Sequence, residues 1–222
     1  MIEIKREEDF EAILQDSEYH KSIAFRHVTG KDTDILHTWM QLPHIAPFWK
    51  LNVSRDQFTG YLDRTLHADN KRVFLVYLDD LPVAYLMAYS IFQDPVKEYY
   101  EAKSSDLGMH LLIGPREFLN KDDGLMLIRA MTAFLMEKYE CGRIIGEPDV
   151  RNRIVIPILK RIGGERVCTI TLPHKKAALM IGERNRFYRY LLTKDVKFRK
   201  EPKREDNTFW KAGAPCEKEP SN

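Results

Sequence analysis

The stretch from Asp106 to Pro148 constrains this chain more than any other. It opens with an apolar run, LGMHLLIG (107–114), and continues through a proline-containing loop and an amphipathic segment (125–138). It closes with a second apolar run, RIIGEP (143–148). Short apolar runs bounded by Gly and Pro read as strands. Leu127, Ile128, Met131, Phe134 and Leu135 fall on one stripe at helical spacing. A strand, a helix and a strand joined by short links make a parallel pair with a right-handed crossover.

Other elements group around this unit. RVFLVYL (72–78) and PVAYLMAYSIF (82–92) flank Asp79-Asp80-Leu81, a hairpin signal. Ile23–Val28 reads as a strand. DTDILHTWMQLP (32–43) reads as a helix, with Asp32 or Thr33 available as cap and Pro43 and Pro47 as stops. RDQFTGYLDRTLHA (55–68) carries Phe58, Leu62 and Leu66 on one helical face. Downstream, 149–164 reads as a helix whose early Pro157 demands an irregular first turn and whose stop is Gly163-Gly164. Strands are expected at 165–173 and 176–182, and a terminal helix or an extension at 183–192. The fold class is therefore mixed α/β: antiparallel strands first, a parallel central pair, and helices flanking the sheet. Residues 1–22 form a lead-in, a helix or loose segment around Phe10, Ile13 and Leu14. Residues 23–192 form the domain. Residues 193–222, charge-rich and aromatic-poor, form a tail expected to be mobile.

Composition narrows the function. With 222 residues and 44% hydrophobic content, one sizeable domain can bury a core. The 35 basic and 33 acidic residues are interspersed and leave a net charge of only +2, so no nucleic-acid partner is indicated. Cys141, Cys168 and Cys216 form no CxxC pair, which argues against a zinc site and a disulfide framework. No apolar run approaches the roughly 18 residues of a spanning helix, and MIEIKREEDF is too charged for a signal peptide. The expectation is a cytoplasmic protein, monomer or homodimer, with a small-molecule partner, no membrane and no metal.

The loop before the central helix carries the first functional question. A helix N-terminus offers unpaired N–H groups and positive dipole, so it attracts phosphate. Here the segment is Leu119-Asn120-Lys121-Asp122-Asp123-Gly124-Leu125. Gly124 permits close approach and Lys121 supplies a cation, but Asp122 and Asp123 repel a pyrophosphate while favouring a helix start. An anion cradle and an ordinary capped helix both fit. His110, on the strand before it, has the proton affinity of a general base near neutral pH; a core histidine held by hydrogen bonds fits equally. Asp149 ends the next strand, where it can face His110 or cap a helix. Glu147 competes with it.

The blocks DLGMHLLIGP (106–115), GEPDVRN (146–152) and ITLPHKKAALMIGERNRF (170–187) occur in that order, preceded by HTWMQLPHIAPFW (37–49) and YYEAKSSDLGMH (99–110). Together they resemble the siderophore-biosynthesis branch of the GNAT superfamily of acyl-CoA-dependent N-acyltransferases, whose members include the acyltransferases of aerobactin and mycobactin synthesis. The resemblance spans about residues 23–190. It implies a GNAT fold whose parallel pair splays at the cofactor site, and acetyl-CoA or another acyl-CoA as co-substrate. It implies cofactor contacts from Leu111, Leu112, Ile113, Asn120, Lys121, Gly124, Leu125 and Asn152. His110 matches the branch's G-x-H-L motif and becomes the candidate base, with Asp149 as the candidate orienting or substrate-binding carboxylate. Trp39, His44, Phe48 and Trp49 become candidate walls of the acceptor site. The loop departs from the family pattern, since Asn120 and Asp122 stand where glycine is common. The implied reaction is direct acyl transfer to an amine or N-hydroxyamine, such as N6-hydroxylysine or a hydroxylated diamine. An aminoglycoside N-acetyltransferase of the 6′ type, and a binding module that has lost catalysis, are the alternatives.

Overall fold

The computed structural model describes residues 10–194, 209–211 and 213–214. Eight strands form one sheet. They are β1 (Ala12–Asp16), β2 (Lys21–His27), β3 (Lys71–Leu78), β4 (Leu81–Ser90), β5 (Asp106–Ile113), β6 (Arg143–Gly146), β7 (Gly164–Leu172) and β8 (Lys175–Glu183), in the spatial order β1-β2-β3-β4-β5-β6-β8-β7. All neighbours are antiparallel except β5 and β6. The helices are α1 (Thr33–Met40), α2 (Ala46–Trp49), α3 (Arg55–Leu66), α4 (Lys121–Tyr139), α5 (Val155–Arg161) and α6 (Arg184–Leu192). The mixed α/β architecture and the parallel β–α–β unit agree with the reading from sequence.

Two apolar layers sandwich the sheet. One packs α1 and α3 against Leu75, Tyr85, Tyr89 and Leu179. The other packs α4 and α6 against Phe25, Phe74, Leu86 and Leu107. The β3–β4 link closes as a two-residue turn, with Asp79 and Asp80 both left-handed (φ 45° and 71°). That geometry matches the twist of the flanking strands, and aspartate tolerates it.

The parallel pair positions the site. Pairing of β5 with β6 runs only from Asp106–Arg143 to Gly108–Ile145. Beyond Gly108, β5 stays on β4 as far as Ile113, while β6 ends at Gly146 and the chain rejoins β8 through Asp149 and Ala177. Pro148 has no N–H to give towards β5, while its carbonyl still accepts from the Ala178 N–H of β8 at 2.8 Å and keeps this end of the chain on β8. A wedge therefore opens between the strands, with His110 on one wall and Glu147 at its root.

Several elements differ from expectation. Residues 12–16 are an edge strand, not a helix or loose lead-in: Ala12, Leu14 and Asp16 are buried in alternation. Asp16 is drawn inward by Arg129 of α4, whose guanidinium lies 2.5 Å away. Helix α4 begins at Lys121, so most of the expected cofactor loop is its first turn. Residues 150–154 are turn and loop rather than helix, and α5 starts at Val155 with Pro157 in its first turn, the irregularity expected there. Gly163 ends it at φ 97°, a conformation that favours glycine. The expected mobile segment beyond Lys194 lies mostly outside the described residues. Within the described part, Phe209–Lys211 forms one 3-10 turn, Trp210 is buried, and the Trp210 carbonyl accepts from the Ser90 hydroxyl at 2.9 Å.

Candidate active site

A cavity of ≈ 410 Å³ occupies the wedge. Its lining draws on both faces of the sheet: Phe48, Trp49 and Tyr61 on the α1–α3 side, Thr132, Met136 and Leu159 on the α4–α5 side. His110 and Glu147 lie between them.

His110 is half-buried, and its Nε2 contacts the Glu147 carboxylate. The Tyr89 ring packs beneath the imidazole, with centroids 4.7 Å apart, and the Trp49 ring meets it edge-on at 6.2 Å. Glu147 is buried at 5% exposure; its other oxygen accepts from the Tyr89 hydroxyl at 2.9 Å, and Lys175 Nζ stands 3.6 Å away. Burial pushes the Glu147 carboxyl up, but His110, Lys175 and the Tyr89 hydroxyl outweigh it and hold the group at about 2. Burial, then the Glu147 charge, push the Tyr89 phenol well above its ordinary range. Tyr89 therefore stays a donor, Glu147 stays an acceptor, and the imidazole is fixed through Nε2 with its other nitrogen left for chemistry.

Local sequence builds this constellation. Strand alternation puts Gly108, His110 and Leu112 on the α1–α3 side. Gly108 is required there, because a Cβ would sit 2.3 Å from the Tyr89 ring. The break at Pro148 turns Glu147 into the wedge.

The expected site residues divide. His110, Leu111, Phe48, Trp49, Asp149 and Asn152 line the cavity. Asp149 does not pair with His110; both its oxygens take the Arg151 guanidinium, at 2.9 and 2.8 Å, and this contact first of all lowers its pKa. The Asn152 side chain accepts from the Ile154 and Val155 N–H groups at the entry to α5. Trp39 is buried against Gly114, where a Cβ would meet its ring at 2.2 Å, so it belongs to the core. His44 Nε2 hydrogen-bonds the Gly114 carbonyl region at 2.9 Å and lines a separate cleft with Pro115 and Arg116. Leu112, Ile113 and Leu125 are core residues. Asn120 caps α4: its Oδ1 accepts from the N–H groups of Asp122 and Asp123, both at 3.0 Å. Of the two readings of that loop, the capped helix start is the one described; Lys121 is exposed and Gly124 packs near Ile158. Tyr89 and Lys50 carry no site expectation from the sequence, whereas the positive charges of Leu172-Pro173-His174-Lys175-Lys176 are expected either to meet an acidic acyl or acceptor group or to guard a strand edge. For Tyr89 no signal existed, as it reads as one more apolar strand residue; Lys175 and His174 stood in the LPHKK block. Among the described residues, no group of three or more His, Cys, Asp or Glu can hold a metal ion, and no helix is long and apolar enough to cross a membrane.

Known proteins share this framework. Residues 29–172 match the acetyltransferase (GNAT) domain family. The chain is 32% identical over 173 residues to the N-hydroxyputrescine acetyltransferase of Acinetobacter baumannii, covering 78% of this chain and 83% of that one. It is 24% identical over 158 residues to an Escherichia coli N(6)-hydroxylysine O-acetyltransferase, covering 71% of this chain and 50% of that one, so it spans only half the length of that relative. Among solved structures, an uncharacterized protein from Bacillus halodurans superposes with a TM-score of 0.79 at 32% identity, covering 82% of this chain and 94% of that one. The wedge, the cavity and these likenesses agree: the chain belongs to the acetyltransferase (GNAT) domain family, the acyl-CoA-dependent N-acyltransferases.

Proposed function

We propose that this enzyme transfers an acyl group from acyl-CoA to the nitrogen of a small N-hydroxy amine, making a hydroxamate of the kind used in siderophores, in the cytoplasm. The observation that carries the reading is the His110–Glu147–Tyr89 constellation inside a wedge that reaches both faces of the sheet. The donor enters from the α4–α5 side and the acceptor from the Trp49 side. His110 takes the proton from the acceptor nitrogen through the ring nitrogen that Glu147 does not hold. The nitrogen attacks the thioester carbonyl, the C–S bond breaks, and CoA leaves as thiolate or thiol. Beyond Gly108, backbone groups of β5 facing away from β4 have no strand to pair with among the described residues. They suit the pantetheine arm and the thioester oxygen. Asn120, Lys121 and Gly124 are assigned to the pyrophosphate, with the Asn120 side chain yielding its two N–H groups to the anion. Transfer is direct, in a ternary complex.

The same constellation bears on the alternatives. A polycationic aminoglycoside calls for free carboxylates, yet Glu147 and Asp149 are each engaged by a cation. A non-catalytic binding module leaves the buried Glu147 carboxylate, with its His110 contact and its Tyr89 hydrogen bond, without a purpose. The test is to mix the protein with acetyl-CoA and, separately, N-hydroxyputrescine and N6-hydroxylysine, reading thiol release together with hydroxamate as its ferric complex. Stoichiometric appearance of both is expected with at least one acceptor. Tight acetyl-CoA binding with no hydroxamate from either would overturn the reading.

A further inference from the structure

The mouth of the cavity on the Trp49 side is positively charged. Lys50 closes α2 in the left-handed conformation (φ 54°), and its ammonium donates to the His174 carbonyl across the mouth at 2.5 Å. Among the described residues no carboxylate pairs with it. Lys175, on the adjoining hairpin, is 15% exposed, lies 3.6 Å from Glu147 and also acts on the Asp149 carboxylate. That carboxylate already serves His110 and Tyr89. The remaining acid at this end, Asp149, is closed onto Arg151. Lys50 and Lys175 both line the cavity with His110 and Trp49. The flanking imidazole of His174 feels both: burial first, then Lys175 and Lys50, lower its pKa. Two ammonium groups thus face one opening whose two acids, Glu147 and Asp149, are already committed to other partners.

We infer that the acceptor carries a carboxylate, held by Lys50 and Lys175 at the cavity mouth, and is an N-hydroxy amino acid rather than an N-hydroxy diamine. The inference rests on the hydroxylamine-acylation reading above and specifies its acceptor. Its geometry is simple. The reacting nitrogen lies at His110, the methylene chain runs along the Trp49 and Phe48 rings, and the carboxylate takes the place of the His174 carbonyl as the partner of Lys50. The far-end ammonium of a diamine would meet these like charges with no anion beside it, which is unfavourable at close range, whereas the α-ammonium of an amino acid arrives with a carboxylate on the same carbon. A carboxylate there accepts charge-assisted hydrogen bonds.

Two acceptors of equal length separate the possibilities: N6-hydroxylysine and N-hydroxycadaverine, which differ only in the carboxylate. The readout is the ratio of their kcat/KM values with acetyl-CoA. In the native enzyme the ratio favours N6-hydroxylysine by about tenfold or more, the worth of one charge-assisted hydrogen bond. In Lys50→Asn, which keeps a residue tolerant of the left-handed position, the ratio falls toward one; Lys50→Arg retains most of it. Lys175→Met lowers it as well. A ratio near one or below one in the native enzyme, or a ratio unchanged in Lys50→Asn, would overturn the inference while leaving hydroxylamine acylation standing. Acylation of neither acceptor would overturn both.

Discussion

The Glu147 carboxylate meets Nε2 of His110 where β5 and β6 part, while Asp149, two residues further on, is closed onto Arg151. The carboxylate that holds the imidazole is therefore the one at the root of the wedge. On the proposed roles, Glu147→Gln is expected to lower kcat/KM by about 100-fold or more, because general-base catalysis typically contributes 10²–10⁴. Asp149→Asn is expected to cost less than about tenfold, since its carboxylate is closed onto Arg151 and does not hold His110. Thiol release under single-turnover conditions separates the two, and equal losses would remove the distinction.

The Glu147 charge also sets a pH dependence. Its folded pKa stands at about 2 against an ordinary 4.5. A depressed carboxyl contributes stability that is fully present above the unfolded value and is lost as pH falls through the folded one. The window is thus pH 4.5 down to about 2, and the contribution is on the order of 3 kcal/mol. Thermal melts across that window should fall more steeply for the native protein than for Glu147→Gln. Parallel curves would place the acid sensitivity elsewhere.

Much of this architecture was legible in the sequence, for identifiable reasons. The parallel unit followed from the period switch between 107–114 and 125–138; the wedge, and His110 rather than a core histidine, came only from the family resemblance. What was hidden depended on long-range partners. Asp16 reads as a surface acid until Arg129 arrives from α4. Glu147 and Asp149 are equally plausible on paper, and only the interruption at Pro148 decides which turns inward. Trp39 and His44 share an aromatic segment with Phe48 and Trp49, yet Gly114 draws the first two away by offering a flat surface and a carbonyl. The Asn120 side chain looks like a departure from a glycine-rich loop; in the fold it caps α4 through the N–H groups of Asp122 and Asp123.

Gly108 and Tyr89 are mutually fitted. A methyl group at 108 would lie 2.3 to 2.6 Å from three ring carbons of Tyr89. Gly108→Ala must push the ring aside, a form of overpacking that typically costs about 1–3 kcal/mol. Because that ring carries the hydroxyl on Glu147, activity should fall along with the melting temperature. Adding Tyr89→Leu should restore part of the stability without restoring the hydrogen bond to Glu147. Full activity in Gly108→Ala would show that the ring is not needed where it sits.

On the proposed roles, Asn120 links helix capping to cofactor binding. Its side chain accepts from the N–H groups of Asp122 and Asp123. Removing an N-cap typically costs about 1 kcal/mol, so Asn120→Ala should melt lower than the native protein without CoA. With saturating CoA the gap should narrow, because the pyrophosphate supplies the acceptor that the variant lacks. Differential scanning calorimetry at matched CoA concentrations reads both numbers. A gap unchanged by CoA would mean that phosphate does not reach this helix terminus.

The edge strand β1 is tied to α4 by a buried charge cluster. The Arg129 side chain is fully buried, with Asp16 at 2.5 Å and Glu18 at 2.6 Å. Breaking such a pair from one side leaves an uncompensated buried charge and typically costs about 3–5 kcal/mol. Arg129→Met is therefore expected to lower the urea midpoint sharply and to loosen β1, since Asp16 then has reason to leave the core. Replacing both charges, in Asp16→Asn with Arg129→Met, removes that penalty and should be clearly more stable than Arg129→Met alone. Hydrogen exchange at Leu14, which pairs with Ile23 on β2, reports the strand directly: fast in the single variant, slowed again in the double. If the two variants melt and exchange alike, Asp16 and Arg129 are not energetically coupled, and β1 is held by Ala12 and Leu14 alone.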